Sequence, residues 1–157
     1  MLELPRIEDW LQEVLAGDAA LTALLAKHKD TGQCVYAYVA PQGAPMPFVV
    51  YSHQGSHDVR GVGPSRIMVS AVYQVKAVGP AASMGALTTA ADRLDTLLQG
   101  ASGTVVDGAV LACVREQPLS YVEVDSSTRY RHLGGLYRIA ARAQESEPAP
   151  EPEPEEA

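Results

Sequence analysis

The sequence predicts an α+β domain: two N-terminal helices and one longer helix packed on an antiparallel sheet of about four to five strands. Three observations carry this reading. Apolar residues recur at helical spacing from Ile7 to Leu25. A run from Arg66 to Val78 alternates in polarity with period two, as a half-buried strand does. A further helical stripe then precedes two more strand-like segments, so the order of elements is αα-ββ-β-α-β-β.

Pro5 suits a first helical position, Glu8 and Asp9 favour the positive end of the helix, and Ile7, Trp10, Leu11, Val14 and Leu15 form its stripe. Gly17 stops that helix. Asp18 offers an N-cap for a second through Ala19, Leu21, Leu24 and Leu25, with Lys27-His28-Lys29 in its last turn. Cys34 to Ala40 alternates around Tyr36 and Tyr38, and Pro41, Gly43, Pro45 and Pro47 punctuate a loop. Phe48 to Tyr51 is a short β-branched and aromatic strand. Residues 53 to 65 hold three glycines and a proline, which predicts an exposed connection.

In the long alternating run one face carries Ile67, Val69, Ala71, Tyr73, Val75 and Ala77. The other carries Met68, Ser70, Gln74 and Lys76, with Val72 and Val78 as exceptions. This predicts an antiparallel strand covered on one side only. Pro80 opens the third helix, whose stripe is Met84, Leu87, Ala91, Leu94, Leu97 and Leu98 and whose stop is Gly100. Strands over Ala109 to Gln117 and Arg129 to Arg142 follow. Between them lies Pro118 to Thr128, with turn chemistry at Asp125-Ser126-Ser127. Gly134-Gly135 predicts a bulge or a close backbone approach.

The 157 residues include 19 acidic and 12 basic side chains, a formal charge of −7. Six glutamates and four prolines, with no base, fall in residues 144–157. Removing them leaves 13 acids against 12 bases in residues 1–143. The chain therefore divides into a near-neutral domain (1–143) and a disordered, acidic, Glu/Pro-rich tail (144–157). A near-neutral domain gives little support for a nucleic-acid groove. No apolar run reaches the roughly 18 residues that span a bilayer. The opening MLELPRIEDW is acidic where a signal peptide needs a basic region. Cys34 and Cys113 are unclustered. The expectation is a reduced, intracellular folding compartment and no membrane contact.

Candidate chemistry is thin. His53, His57 and Asp58 are metal-ligating types, but His-x3-His is a zinc signature on a helix and these residues fall in the predicted connection. Ser52-His53 and Ser56-His57 lack the strand-turn-helix setting of a hydrolase nucleophile. Gly61-Val62-Gly63-Pro64-Ser65 lacks the phosphate-loop lysine and leads into a strand. Glu123 and Asp125, two apart, suit a solvated turn. Arginine supplies nine of the 12 bases, and Arg129, Arg131, Arg138 and Arg142 gather near the C-terminal strand, where they suit subunit contacts. No catalytic, cofactor or metal site is expected. A small metal-dependent hydrolase using His53, His57 and Asp58 is the remote alternative.

The order of elements and several strings resemble the tail-terminator (tail-completion) family of long-tailed bacteriophages and phage-like particles. The resemblance runs from about Leu11 to Ala141. It rests on Leu21-Thr22-Ala23-Leu24-Leu25, on Pro47-Phe48-Val49-Val50-Tyr51-Ser52, on the glycine loop before Arg66 to Val78 and on the helix Ala82 to Leu98. Tyr121, Asp125, Thr128 and Tyr130-Arg131 close the pattern. The Glu-Pro tail departs from it. The resemblance implies a non-enzymatic virion protein of the tail or neck, assembled in the host cytoplasm as a homo-oligomeric ring, usually a hexamer. Its partners would be further copies of itself, the tail tube protein and head–tail connector or neck proteins, with non-specific DNA contact in the lumen. Another neck component or a tail-tube-like subunit is the alternative. Candidate contacts are Gly55, His57, Arg60, Gly63, Arg66, Tyr73, Tyr121, Asp125, Arg129 and Arg131. They lie on the predicted loops Gly55–Ser65 and Pro118–Thr128 and on Arg66–Val78, the expected shared strand edge.

Overall fold

The N-terminal stripe folds into α1 (Glu3–Ala16), which buries Ile7, Trp10, Leu11 and Leu15. The computed structural model describes residues 3–143, so the acidic tail expected over residues 144–157 lies outside the described residues. Asp18 caps α2 (Ala19–Leu24) by accepting the Leu21 N–H at 2.7 Å. That helix stops at Leu24, where Leu25 takes extended backbone, so Lys27, His28 and Lys29 follow the helix instead of filling its last turn. No helix among the described residues is long and apolar enough to cross a membrane.

The strands are β1 (Val35–Ala37), β2 (Phe48–Arg60), β3 (Arg66–Pro80), β4 (Gly103–Val105), β5 (Gly108–Asp125) and β6 (Thr128–Ala143), with α3 (Met84–Leu98) between β3 and β4. They make one curled sheet of six strands in the order β1-β2-β3-β6-β5-β4. The expected count of about four to five is therefore corrected upward. The sheet is also mixed, because β1 runs parallel to β2. β4 was missed because three residues carry no periodicity to read.

Two long hairpins dominate. β2 and β3 pair from Phe48↔Val78 to Arg60↔Arg66, and β5 and β6 from Gly108↔Ala143 to Asp125↔Thr128. The expected loops shrink accordingly: residues 55–60 and 118–125 are strand, and only residues 61–65 and 126–127 turn. Ser126 takes a left-handed φ of 56° in the second turn, a conformation that short polar residues tolerate best among non-glycines. The hairpins join along β3 and β6, which pair from Val69↔Ala141 to Pro80↔Tyr130 without a register shift.

All three helices lie on one face. Beneath them the sheet offers Val49, Tyr51, Val69, Ala71, Tyr73, Val75, Ala77, Val110, Cys113, Tyr137, Ile139 and Ala141, all buried. α3 contributes Leu87, Ala90, Leu94 and Leu98. Each fully buried leucine is worth about 1.5–3 kcal/mol of transfer free energy, so these helix stripes are the main support of the sheet. The opposite face carries a second, smaller cluster of Tyr36, Ala44, Phe48, Val50 and Val78, in which Tyr36 and Phe48 meet edge to face at 5.7 Å. It explains why Val78 breaks the alternation of β3. The glycine pair in β6 marks a close approach and not a bulge, since register runs on through both residues. A Cβ at Gly134 would fall on the Val75 carbonyl oxygen and 2.6 Å from the Lys76 Cα.

Candidate assembly surface

Pairing decides which backbone the sheet leaves open. β1 covers only Val49–Tyr51 on the outer side of β2, so Ser52–Arg60 is an open edge. β4 covers Gly108–Val110 of β5, and just beyond it the Gly100 N–H donates to the Cys113 carbonyl and Gln99 Oε1 accepts the Arg115 N–H, both at 2.8 Å, so Glu116–Asp125 is open on the opposite side of the same sheet. The expected shared edge, Arg66–Val78, is corrected. β3 is bonded to β2 on one side and to β6 on the other, and it has no edge to share.

The candidate contacts separate along these lines. Gly55 and His57 lie on the open part of β2 opposite Val72 and Ser70, Arg60 ends that strand, and Gly63 turns the hairpin with φ 99°. Arg66 starts β3 but is engaged within the chain. Its Nη2 donates to the buried Glu3 carboxylate at 2.7 Å, and its Nη1 lies 3.6 Å from Asp58. Tyr73 is corrected outright: it is 0% exposed beneath α1, so it is a core residue and not a surface contact. Tyr121, Asp125, Arg129 and Arg131 gather at the turn end of the β5–β6 hairpin, where Arg131 Nη2 donates to Ser120 Oγ at 3.1 Å. The C-terminal arginines do not form one patch. Alternation from the buried Tyr137 puts Arg129 and Arg131 on the helix side and Arg138 and Arg142 on the other.

The helix-free face holds a polar cluster that spans three strands. His132 on β6 stacks on Tyr121 of β5, ring centroids 4.3 Å apart and 9° from parallel. Lys76 of β3 donates to the Tyr121 hydroxyl at 2.6 Å, its Nζ 5.2 Å from the ring centroid. Glu123 brings a carboxylate oxygen to 3.0 Å from His132 Nε2, a contact that becomes an ion pair only when the imidazole is protonated. Burial, and then the Lys76 ammonium, hold the imidazole below its ordinary pKa against the opposing pull of Glu123. Lys76, Glu123 and His132 are absent from the sequence-derived contacts. Lys76 lies 45 residues from Tyr121, and Glu123 and His132 meet only through the register of the β5–β6 hairpin, so no local pattern could join them.

The histidines of the hydrolase alternative do not converge. A register shift at Gln54 sets His53 opposite Tyr73 on the helix side and His57 opposite Ser70 on the other face. Among the described residues no group of three His, Cys, Asp or Glu side chains is placed to hold a metal ion. The densest polar network instead secures α1. Tyr38 and Tyr73 donate to the Glu8 carboxylate, the latter at 3.3 Å, and Tyr51 donates to Gln12 Oε1 at 3.1 Å.

The sequence matches no protein-family model and no curated protein. The fold does have a counterpart. A chain in the virion of a native gene transfer agent particle superposes with a TM-score of 0.63 at 19% identity. The match covers 85% of this chain and 92% of that one. At that identity the likeness is one of fold.

The open edge of β5 was hard to read in the sequence. Residues 118–125 include Val122 and Val124 in alternation with polar neighbours, a strand signal outweighed by Pro118 and by the turn residues that follow.

Proposed function

We propose that this chain is a structural virion protein, a tail terminator. In this reading it assembles as a ring at the head-proximal end of a phage-like tail tube, stops tube growth and meets the head connector. The single observation that carries the reading is the fold shared, over most of both chains, with a component of a gene transfer agent virion. The strings that resemble the tail-terminator family, from Leu21-Thr22-Ala23 to Tyr130-Arg131, support it from the sequence side.

The open edges suit such an assembly. They lie on opposite sides of one sheet, so each copy offers one of each kind, and head-to-tail contacts of this sort close into rings when the rotation permits. The balance of 13 acids and 12 bases in residues 1–143 lets copies sit together without strong repulsion. A hexamer is the expected stoichiometry. Gly55, His57, Arg60 and Gly63 at one end of the sheet, and Tyr121, Asp125, Arg129 and Arg131 at the other, are the proposed contacts with further copies, tube and connector.

Light scattering and negative-stain microscopy of the full chain test this. Rings of uniform mass that cap one end of tail tubes are the expected result. A strict monomer that neither forms rings nor associates with tubes overturns the reading. Unlimited filament growth by the isolated protein would reassign it to a tube-like subunit.

A further inference from the structure

We infer that the ring contact is a backbone pairing: Leu119–Asp125 of β5 in one copy lies antiparallel beside Gly55–Arg60 of β2 in the next, with Glu123 opposite His57 and Tyr121 opposite Val59. The inference rests on the ring reading above and specifies which surfaces make the ring.

Edge regularity selects these two segments. Along β5, register shifts leave Leu111 and Glu116 as extra residues, and Pro118 has no N–H to give. Such features blunt an edge against pairing. Beyond Pro118 the strand runs regularly to Asp125 and exposes three apolar side chains: Tyr121 is 39%, Val122 46% and Val124 62% exposed. Along β2 the extra residue is Gln54, and from Gly55 to Arg60 the strand carries no other, since the shift at Val59/Arg60 leaves its extra residue, Ile67, on β3. Each edge thus keeps one undamaged stretch, and both stretches lie outside the cover of β1 and β4.

Direction and faces agree. β2, β3, β6 and β5 alternate in direction, so β5 runs against β2 in the same sheet. A second copy set edge to edge therefore continues the alternation when its β2 follows the first copy's β5. Residues directly opposite across such a seam share a face. Tyr121 and Glu123 pair with His132 and Tyr130 on the helix-free face, and His57 and Val59 pair with Ser70 and Met68 on that same face. The stated register sets a carboxylate against an imidazole and an aromatic ring against a β-branched side chain, two favourable cross-strand combinations. It also sets Arg60 beside Ser120. The β5 stretch carries Glu123 and Asp125 as its only charges, whereas the β2 stretch supplies His57 and Arg60, with its one acid, Asp58, held near Arg66. A two-fold pairing of β5 with itself leaves the β2 edge unused and forms dimers instead of rings.

Disulfide capture in the full chain tests the seam, since Cys34 and Cys113 are both buried. Two double variants sample both kinds of cross-strand pair: Glu123→Cys with His57→Cys, and Val122→Cys with Asp58→Cys. The expected result is a ladder of covalent oligomers up to the full ring on a non-reducing gel in at least one of them. The ladder should collapse to monomer with reductant and be absent from each single variant. Rings that persist by microscopy while neither double variant cross-links overturn the seam and leave the ring reading standing. A covalent dimer from Val122→Cys alone marks the two-fold β5 pairing and overturns the seam. An uncross-linked monomer that also fails to bind tubes overturns the ring reading itself.

Discussion

Arg93 and Asp18 close a bidentate pair between α3 and the start of α2, Nε to Oδ1 at 3.0 Å and Nη2 to Oδ2 at 2.6 Å. The same Oδ1 caps α2 through the Leu21 N–H. One carboxylate therefore ends the corner between the first two helices and ties it to the third.

Replacing it separates the two roles. Asp18→Ala loses the cap and the pair and is expected to destabilise the fold by about 1–2 kcal/mol in urea unfolding. Asp18→Asn keeps an acceptor for Leu21 and should lose less. Arg93 holds the Asp18 carboxyl below its ordinary pKa, so its contribution is present above the usual carboxylate range and lost as the pH falls through the lower folded value. The asparagine variant should therefore show a smaller loss of stability across that acid range than the parent. Equal slopes would argue against the pair.

Two glycines should respond in opposite directions to alanine. Gly134→Ala drives a methyl into the backbone of β3 and is expected to cost at least about 1–3 kcal/mol, with failure to fold as its extreme. Gly85 lies in the first turn of α3 with open space where its Cβ would stand. Gly85→Ala should raise stability by about 0.5–1 kcal/mol. Thermal melts of the two variants measure both.

The tyrosines around Glu8 set an alkaline limit. Tyr38 is raised to about 12, first by its hydrogen bond to Glu8, and Tyr51 to about 12, first by burial. An acid whose folded pKa is raised contributes stability below its ordinary value near 10 and loses it as the pH climbs through the folded one. Stability should thus decline from about pH 10 upward. In Glu8→Ala, phenolate absorbance should show Tyr38 returning toward its ordinary value while Tyr51 moves less.

His132 sets an acid limit of its own. Because the folded state holds the imidazole below its ordinary 6.5, the unfolded chain takes up the proton first, and stability falls as the pH drops from there through the lower folded value. His132→Phe can keep the stack on Tyr121 and should flatten the urea midpoint across that interval. A profile as steep as the parent's would assign the acid sensitivity to another group.

How much of this was legible follows from what each pattern reports. The alternation from Val69 to Ala77 was readable because helices cover one face of β3 and leave the other open. That pattern records which face is buried and is silent on neighbours along the sheet, so it could not tell a central strand from an edge. The choice of Arg66–Val78 as the shared edge failed for that reason. Asp18, Gly100 and the helix stripes were local signals and landed close to their structural roles, with Gly100 at φ 78° just past α3. The outer half of β2 was hidden, since little covers it and solvent imposes no apolar period on Gly55–Arg60, while in β5 the alternation at Val122 and Val124 was outweighed by Pro118 and the turn residues that follow. The buried state of His132 depends on Lys76, Tyr121 and Glu123, which only the completed sheet assembles.

The seam between β3 and β6 has a kinetic consequence. Each hairpin joins neighbours in sequence, but Val69 meets Ala141 only after α3, β4 and β5 have been accommodated between them. Closing so long a loop costs entropy before its contacts form, which places folding of this chain toward the millisecond-to-second range of non-local β topologies. The two open edges are complete only when that slow step is done, so the pace of folding sets how soon a newly made copy can join others.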